Sequence, residues 1–242
     1  MNTDVLTTKV TEGIAVITMG SAKRMYFDAE MGDALTESLQ EFAGDPKVRV
    51  VIVTGGAPGY FNRHFSIPAL IEFAEAVRAS GREWPDNATY HGGFFDKAMA
   101  LCESMPKPVI AAISGTALAG AFEFTLACDL RIAEDGDYLI GFPEAELGLL
   151  PGAGGTQRLP RAIGASAALM HILMASRSIR ARPKGRASCM KLSAARLSIA
   201  LWRLRSGSAR LRQNHSAISS VLSEMLRTLP WLRDWLSNEI SL

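Results

Sequence analysis

Short apolar runs rich in β-branched residues recur through the first two-thirds of this chain, each separated from the next by a helical pattern. Residues 13–19 (GIAVITM), 48–54 (VRVVIVT), 109–113 (VIAAI) and 129–133 (DLRIA) read as strands. Residues 28–43 place Met31, Leu35, Leu39 and Phe42 on one helical face, with Asp28 as the N-cap. Helical pattern also runs through 67–80 and 94–104, and a further helix is expected at 119–127. Residues 58–66 read as a loop or short edge strand, 81–93 as a loop, and Gly115 to Gly120 as a turn. Parallel strands need long crossovers, usually helical, so this alternation implies an α/β fold with largely parallel sheets.

The chain has 242 residues, 48% hydrophobic and 21% charged, enough for one large domain or a domain with an appendage. That composition excludes a disordered, collagenous or disulfide-rich chain. No apolar run reaches the roughly 18 residues of a membrane span, so no membrane insertion is expected. The first residues lack a basic-then-apolar secretory pattern. Cys102, Cys128 and Cys189 are scattered, without CxxC or histidine spacing. They read as reduced thiols of a cytoplasmic protein, and no metal site is expected.

The net charge of +2 conceals an asymmetry: residues 1–174 carry a balance of −8, residues 175–242 one of +10. The final segment holds 11 Arg, 13 Ser and 11 Leu but only two Gly. It reads as a basic nucleic-acid or membrane arm, as a helical oligomerisation or lid segment with solvated arginines, or as sequence altered by a shift of reading frame.

Residues 113–129 (ISGTALAGAFEFTLACD) carry the strongest chemical signal. A strand gives way to small residues and then a helix starting near Ala119 and Gly120. Unpaired N–H groups at a helix start face whatever lies beyond it, and glycine lets a ligand approach the main chain closely. Such a turn can build a backbone oxyanion site. Glu123 is the lone charge on an otherwise apolar helix, which costs free energy unless the carboxylate is paired or working. A Glu paired with an arginine, or facing solvent, is the bland alternative.

In residues 141–159 (GFPEAELGLLPGAGGTQRL), Pro143 fixes the chain before Glu144, and a turn of small residues follows Pro151. Neither a P-loop nor a dinucleotide fingerprint is present. Glu146 reads as a solvated residue. Glu144, with Glu123, would suit proton transfers beside a carbonyl.

With these stretches in view, residues about 5–174 resemble the enoyl-CoA hydratase/isomerase, or crotonase, superfamily. The likeness rests on PVIAAISGTALAGAFEFTLACDLRIA and FPEAELGLLPGAGGTQRLPRAIG. It implies a crotonase-like spiral of repeated ββα units, an acyl-CoA thioester substrate, and assembly as a homotrimer or hexamer. Carried over, Gly120 and Phe65 become the backbone oxyanion donors, and Glu123 and Glu144 the catalytic pair that adds water across an enoyl-CoA double bond. Retaining both glutamates favours hydration over isomerisation or another reaction of the superfamily. Lys23, Arg24, His64, Ala119, Pro143 and Gly152 become candidates for substrate contact. No separate cofactor is implied, since coenzyme A is part of the substrate.

Two departures qualify the likeness. An N-A-L/M-type stretch that contacts coenzyme A is replaced by residues 21–27 (SAKRMYF). After a trace of helix at 168–176 the resemblance disappears, where the charge balance also jumps. The expectation is thus a catalytic core at 1–174 and a basic segment at 175–242, helical or irregular, in place of the usual trimerisation helices. A frame-shifted segment explains the coincidence best. A weak or inactive relative that binds nucleic acid through this segment is the competing, less favoured reading.

Overall fold

In the computed structural model, residues 4–81, 94–134 and 137–175 are described. The chain opens with a hairpin, β1 (Leu6–Thr11) and β2 (Ile14–Met19), closed by Glu12 and Gly13. Both turn residues have positive φ, at 50° and 84°, the backbone hand that suits a two-residue hairpin. Parallel strands then add in the order β1-β2-β3-β5-β7, with β3 at Val50–Gly55, β5 at Val109–Ile113 and β7 at Leu130–Ala133. β3 and β5 are buried on both faces, as unbroken apolar runs in parallel sheets are.

A second sheet explains how the site is assembled. β4 (Gly59–Asn62), β6 (Gly115–Leu118) and β8 (Ile140–Gly141) pair in parallel in that order. The chain visits the large sheet, then the small one, then a helix, and repeats. β3 and β4 lead to α2 (Ile67–Ala79), β5 and β6 to α4 (Gly120–Ala127), and β7 and β8 to a 3-10 turn at Glu144–Leu147. β2 makes the same excursion. Beyond it residues 25–27 run beside 63–66, with Arg63 N–H donating to Met25 O and Phe27 N–H to His64 O. They lead into α1 (Ala29–Gly44). This is a spiral of ββα units, as the resemblance implied.

The core lies between the large sheet and α1 and α3 (Phe94–Ser104). Met31, Leu35, Leu39 and Phe42 form the buried face of α1, and the Asp28 carboxylate accepts the Met31 N–H at 2.9 Å, as its periodicity predicts. Burying each such side chain contributes about 1.5–3 kcal/mol. Phe27 packs edge-on against Phe95, with centroids 4.1 Å apart. At the other end of α1, Lys107 Nζ donates to the Phe42 and Asp45 carbonyls, a cation where the helix dipole favours one.

Two features depart from the sequence reading. β1 has no counterpart in it, because its polar, threonine-rich alternation lacks an apolar run. Gly115 to Leu118 is a strand, not a turn. A Cβ on Gly115 would collide with the Gly59 backbone, so the small residue serves close strand approach. The expected loop at 81–93 and the segment 175–242 lie outside the described residues apart from Gly81 and Ala175. Two helices, α5 (Gly155–Ile163) and α6 (Ala165–Leu173), complete the described chain. None of the described helices is long and apolar enough to cross a membrane.

Candidate active site

The turn from β6 into α4 aims one amide outward. Ala119 N–H donates to Gly141 O at 3.0 Å, and Ala119 C=O accepts Glu123 N–H at 3.0 Å. A trans peptide points its N–H opposite to its C=O, so the Gly120 N–H leaves the helix start. It has no partner among the described residues, and a Cβ at Gly120 would meet nothing within 4 Å. Ala119 adopts φ 52° and ψ −130°, a conformation that favours glycine.

A second amide comes from the strand end beyond β4. His64 C=O accepts Phe27 N–H at 2.9 Å, so the Phe65 N–H, across the same peptide, points away from Phe27. The preceding carbonyl identifies that side: Arg63 C=O accepts the Leu118 N–H of β6 at 3.2 Å. Phe65 N–H therefore faces the end of β6, where Gly120 begins α4, and also has no partner among the described residues. The Phe65 ring packs against Phe95.

Glu123 lies one turn into α4 and is 2% exposed. Its Oε1 accepts the N–H groups of Ala153 at 2.8 Å and Gly155 at 2.7 Å. The carboxylate thus caps the start of α5 from a different helix. Burial raises its pKa, while the two N–H donors and the positive charge of Arg158 oppose the rise. A Cβ on Gly155 would sit 2.7 Å from Phe142 Cζ and 2.9 Å from Glu123 Oε1, so only glycine fits there without movement.

Glu144 arrives from β8 through Phe142 and Pro143, which has φ −87° and ψ 0°. Its side chain is buried, and Oε2 has no hydrogen-bond partner among the described residues. Burial and the negative charge of Glu123 push its pKa up to about 7, against a partial offset from its own backbone N–H. Glu123 is thus near enough for its charge to act on Glu144. Glu146 is exposed, as its solvated reading has it.

The remaining candidates either adjoin these groups in the chain or sit on other loops. Arg24 pairs with the start of α1: Nη2 lies 2.6 Å from Asp28 Oδ2 and 2.7 Å from Glu30 Oε2. Lys23 is exposed on the same loop. The His64 ring is tilted against Tyr26 with centroids 4.8 Å apart, and its Nδ1 is 2.6 Å from the Phe65 carbonyl. Ala119 and Pro143 shape the turns before Glu123 and Glu144. Gly152 is exposed, with only Leu150 O as near as 4.0 Å to a Cβ there.

Sequence reasoning missed Ala153 and Gly155, whose N–H groups hold Glu123, and Arg158, whose charge acts on it. The small-residue turn after Pro151 was the available signal, but spacing alone does not say which side chain such a turn receives. Among the described residues, no cluster of three His, Cys, Asp or Glu could hold a metal ion.

Comparison with known proteins bears on this geometry. Residues 9–186 match the family model for enoyl-CoA hydratase/isomerase. YngF of Bacillus subtilis, named for an enoyl-CoA hydratase/isomerase, is 38% identical over 68% of this chain and 59% of its own length. A fatty acid oxidation complex subunit alpha from Shewanella is 34% identical over 72% of this chain. This match takes in only 24% of that longer protein. An enoyl-CoA hydratase crystal structure from Geobacillus kaustophilus superposes with a TM-score of 0.62 at 30% identity, covering 73% of this chain and 63% of that one. The chain thus spans well under two-thirds of the curated relatives named here.

Proposed function

The chain belongs to the enoyl-CoA hydratase/isomerase family, and from that premise we propose that it hydrates 2-enoyl-CoA thioesters. The thioester oxygen sits between the Phe65 and Gly120 amides, which stabilise the negative charge that develops on it. Water adds through its oxygen to C3 and gives up a proton to Glu123, whose second oxygen remains for this task. The displaced π electrons collect on the thioester oxygen as an enolate. Glu144, holding a proton near neutral pH, delivers it to C2, and the two proton transfers restore neutrality. The amides and the two acids supply all the groups this chemistry needs, with coenzyme A entering as part of the substrate.

The observation that carries the reading is the unpartnered, buried Glu144 carboxyl beside a Glu123 held by two backbone donors. Isomerisation within one substrate needs only one group to move a proton, whereas addition of water uses an acceptor and a donor together. The test is hydration of crotonyl-CoA and longer 2-enoyl-CoA substrates by wild-type protein and Glu144→Gln. Turnover by wild type, lost in the variant, is expected. A wild type that shifts the double bond without consuming it overturns the reading.

Assembly as a homotrimer, or a pair of trimers, is part of the proposal. Leu147, Leu149 and Leu150 beside the 3-10 turn, and Met170, Leu173 and Met174 at α6, are all exposed. This apolar surface suits burial against another copy. Sedimentation of the full chain tests it, and a monomer at micromolar concentration overturns it. A cytoplasmic setting is likewise proposed, in keeping with the free thiols of Cys102 and Cys128.

A further inference from the structure

Arg158 stands outside the proposed chemistry yet joins three elements around it. From α5, its Nε and Nη2 reach Glu103 of α3 at 2.7 and 3.1 Å, a two-pronged carboxylate contact. Its Nη1 donates to the Ala153 carbonyl at 2.8 Å and lies 3.6 Å from Met99 Sδ. The Arg158 N–H donates to Gly154 O at 2.9 Å, and a Cβ on Gly154 would collide with the guanidinium. The side chain is therefore folded back over the turn whose opposite side presents Ala153 and Gly155 N–H to Glu123.

We propose that Arg158 is a positioning residue for Glu123. Anchored on Glu103, its guanidinium clamps the Ala153–Gly155 turn so that both N–H groups stay aimed at the carboxylate, and its charge faces that carboxylate. The inference rests on the hydratase reading for its kinetic consequence but not for its structural one.

The charges around Glu123 set what the clamp must do. Asp96 on α3 is its negative neighbour, and Arg158 is the positive one. Without Arg158, burial and Asp96 act on Glu123 against only two backbone donors, and the turn holding those donors is free to tilt. Arginine suits the role better than lysine because one planar fork can meet a carboxylate while its other nitrogen meets a carbonyl.

The experiment pairs 13C-glutamate NMR titration of the full chain with crotonyl-CoA kinetics for Arg158→Gln, Arg158→Lys and Glu103→Gln. In Arg158→Gln the Glu123 midpoint is expected to rise, and kcat to fall roughly tenfold to a hundredfold with KM nearly unchanged, as for a misplaced catalytic group. Arg158→Lys should return the midpoint toward wild type while kcat stays low, separating charge from geometry. Glu103→Gln, at a half-exposed position that spares the core, should move kcat in the same direction by a smaller factor. An unmoved Glu123 midpoint and kcat within twofold in a folded Arg158→Gln overturns the proposal; if that variant does not fold, unchanged kcat and midpoint in Glu103→Gln do so. A wild-type protein inert toward crotonyl-CoA would sink the hydratase reading instead, while the titration arm still decides the clamp.

Discussion

The start of α4 and the short turn at Glu144 each deliver one carboxyl to the same place, under opposite hydrogen bonding. Glu123, the more buried at 2% exposure, accepts two backbone N–H groups and faces an arginine. Glu144, at 8%, has a buried oxygen without a partner among the described residues, and burial pushes its pKa up to about 7. Burial alone would rank them the other way. What separates them is the supply of donors, because hydrogen bonds to the charged form offset desolvation and their absence leaves it uncompensated. The two carboxyls thereby lie within electrostatic reach of each other under different hydrogen bonding, the contrast on which the proposed acceptor and donor roles rest.

The largest effect that can break this contrast is on turnover. Glu144→Gln and Glu123→Gln should each lower kcat for hydration by about 10²–10⁴, the usual contribution of a positioned acid or base. Their stabilities should diverge. Glu123→Gln weakens charge-assisted bonds to α5, and its thermal midpoint is expected to fall by several degrees. Glu144→Gln should melt at or above wild type near pH 8. Equal melting losses in the two variants would mean that Glu144 is held as firmly as Glu123.

The glycine turn offers the next test. Gly155→Ala forces a methyl against Phe142 and Glu123, and should cost about 1–3 kcal/mol in a urea titration. Gly152→Ala, three residues earlier in open space, should stay within about 0.5 kcal/mol. A matching pair of losses would show that the turn does not depend on its fit to Glu123.

Stability against pH follows from Glu144. Its pKa rises from 4.5 to about 7 on folding, so the folded chain binds the proton more tightly than the unfolded one. That stabilisation is complete below the ordinary value and is lost as pH climbs through the window between them. A decline of about 2 kcal/mol is expected, short of full linkage because water reaches part of the group. Urea titrations at pH 5 and pH 8 should show it in wild type, and Glu144→Gln should remove that share.

Much of this contrast was legible in the chain itself, but unevenly. The β-branched runs announced β2, β3 and β5, and the Asp28 cap and four-residue apolar face announced α1, because these signals are local. Glu123 stood out as a charge on an apolar helix, and Glu144 by its proline and by family likeness. The partners did not stand out. Ala153, Gly155 and Arg158 lie some thirty residues from Glu123 or beyond, and only the spiral brings them to it. Arg24 shows the converse, a partner within local reach: it sits four residues before Asp28 and pairs with it. β6 was concealed because glycine and alanine mark turns by composition, yet here they permit two backbones to touch.

The smallest expected effect separates the turns that lead into the two acids. Ala119 holds φ 52° and ψ −130° without a glycine's freedom, and such a residue stores about 1–3 kcal/mol. Ala119→Gly releases that strain but adds roughly 0.4–1 kcal/mol of unfolded-chain entropy, so a net gain of about 1 kcal/mol is expected. Pro143, at φ −87°, is already in the backbone region its ring prefers. Pro143→Ala therefore releases nothing and loses the proline's restriction of the unfolded chain, a change of about 0.5–1 kcal/mol in the opposite direction. Urea midpoints that move apart for this pair would confirm that strain is concentrated before Glu123. Midpoints that both fall would mean that the β6–α4 turn holds Ala119 at no cost, and that the Gly120 amide is aimed by the Ala119–Gly141 hydrogen bond alone.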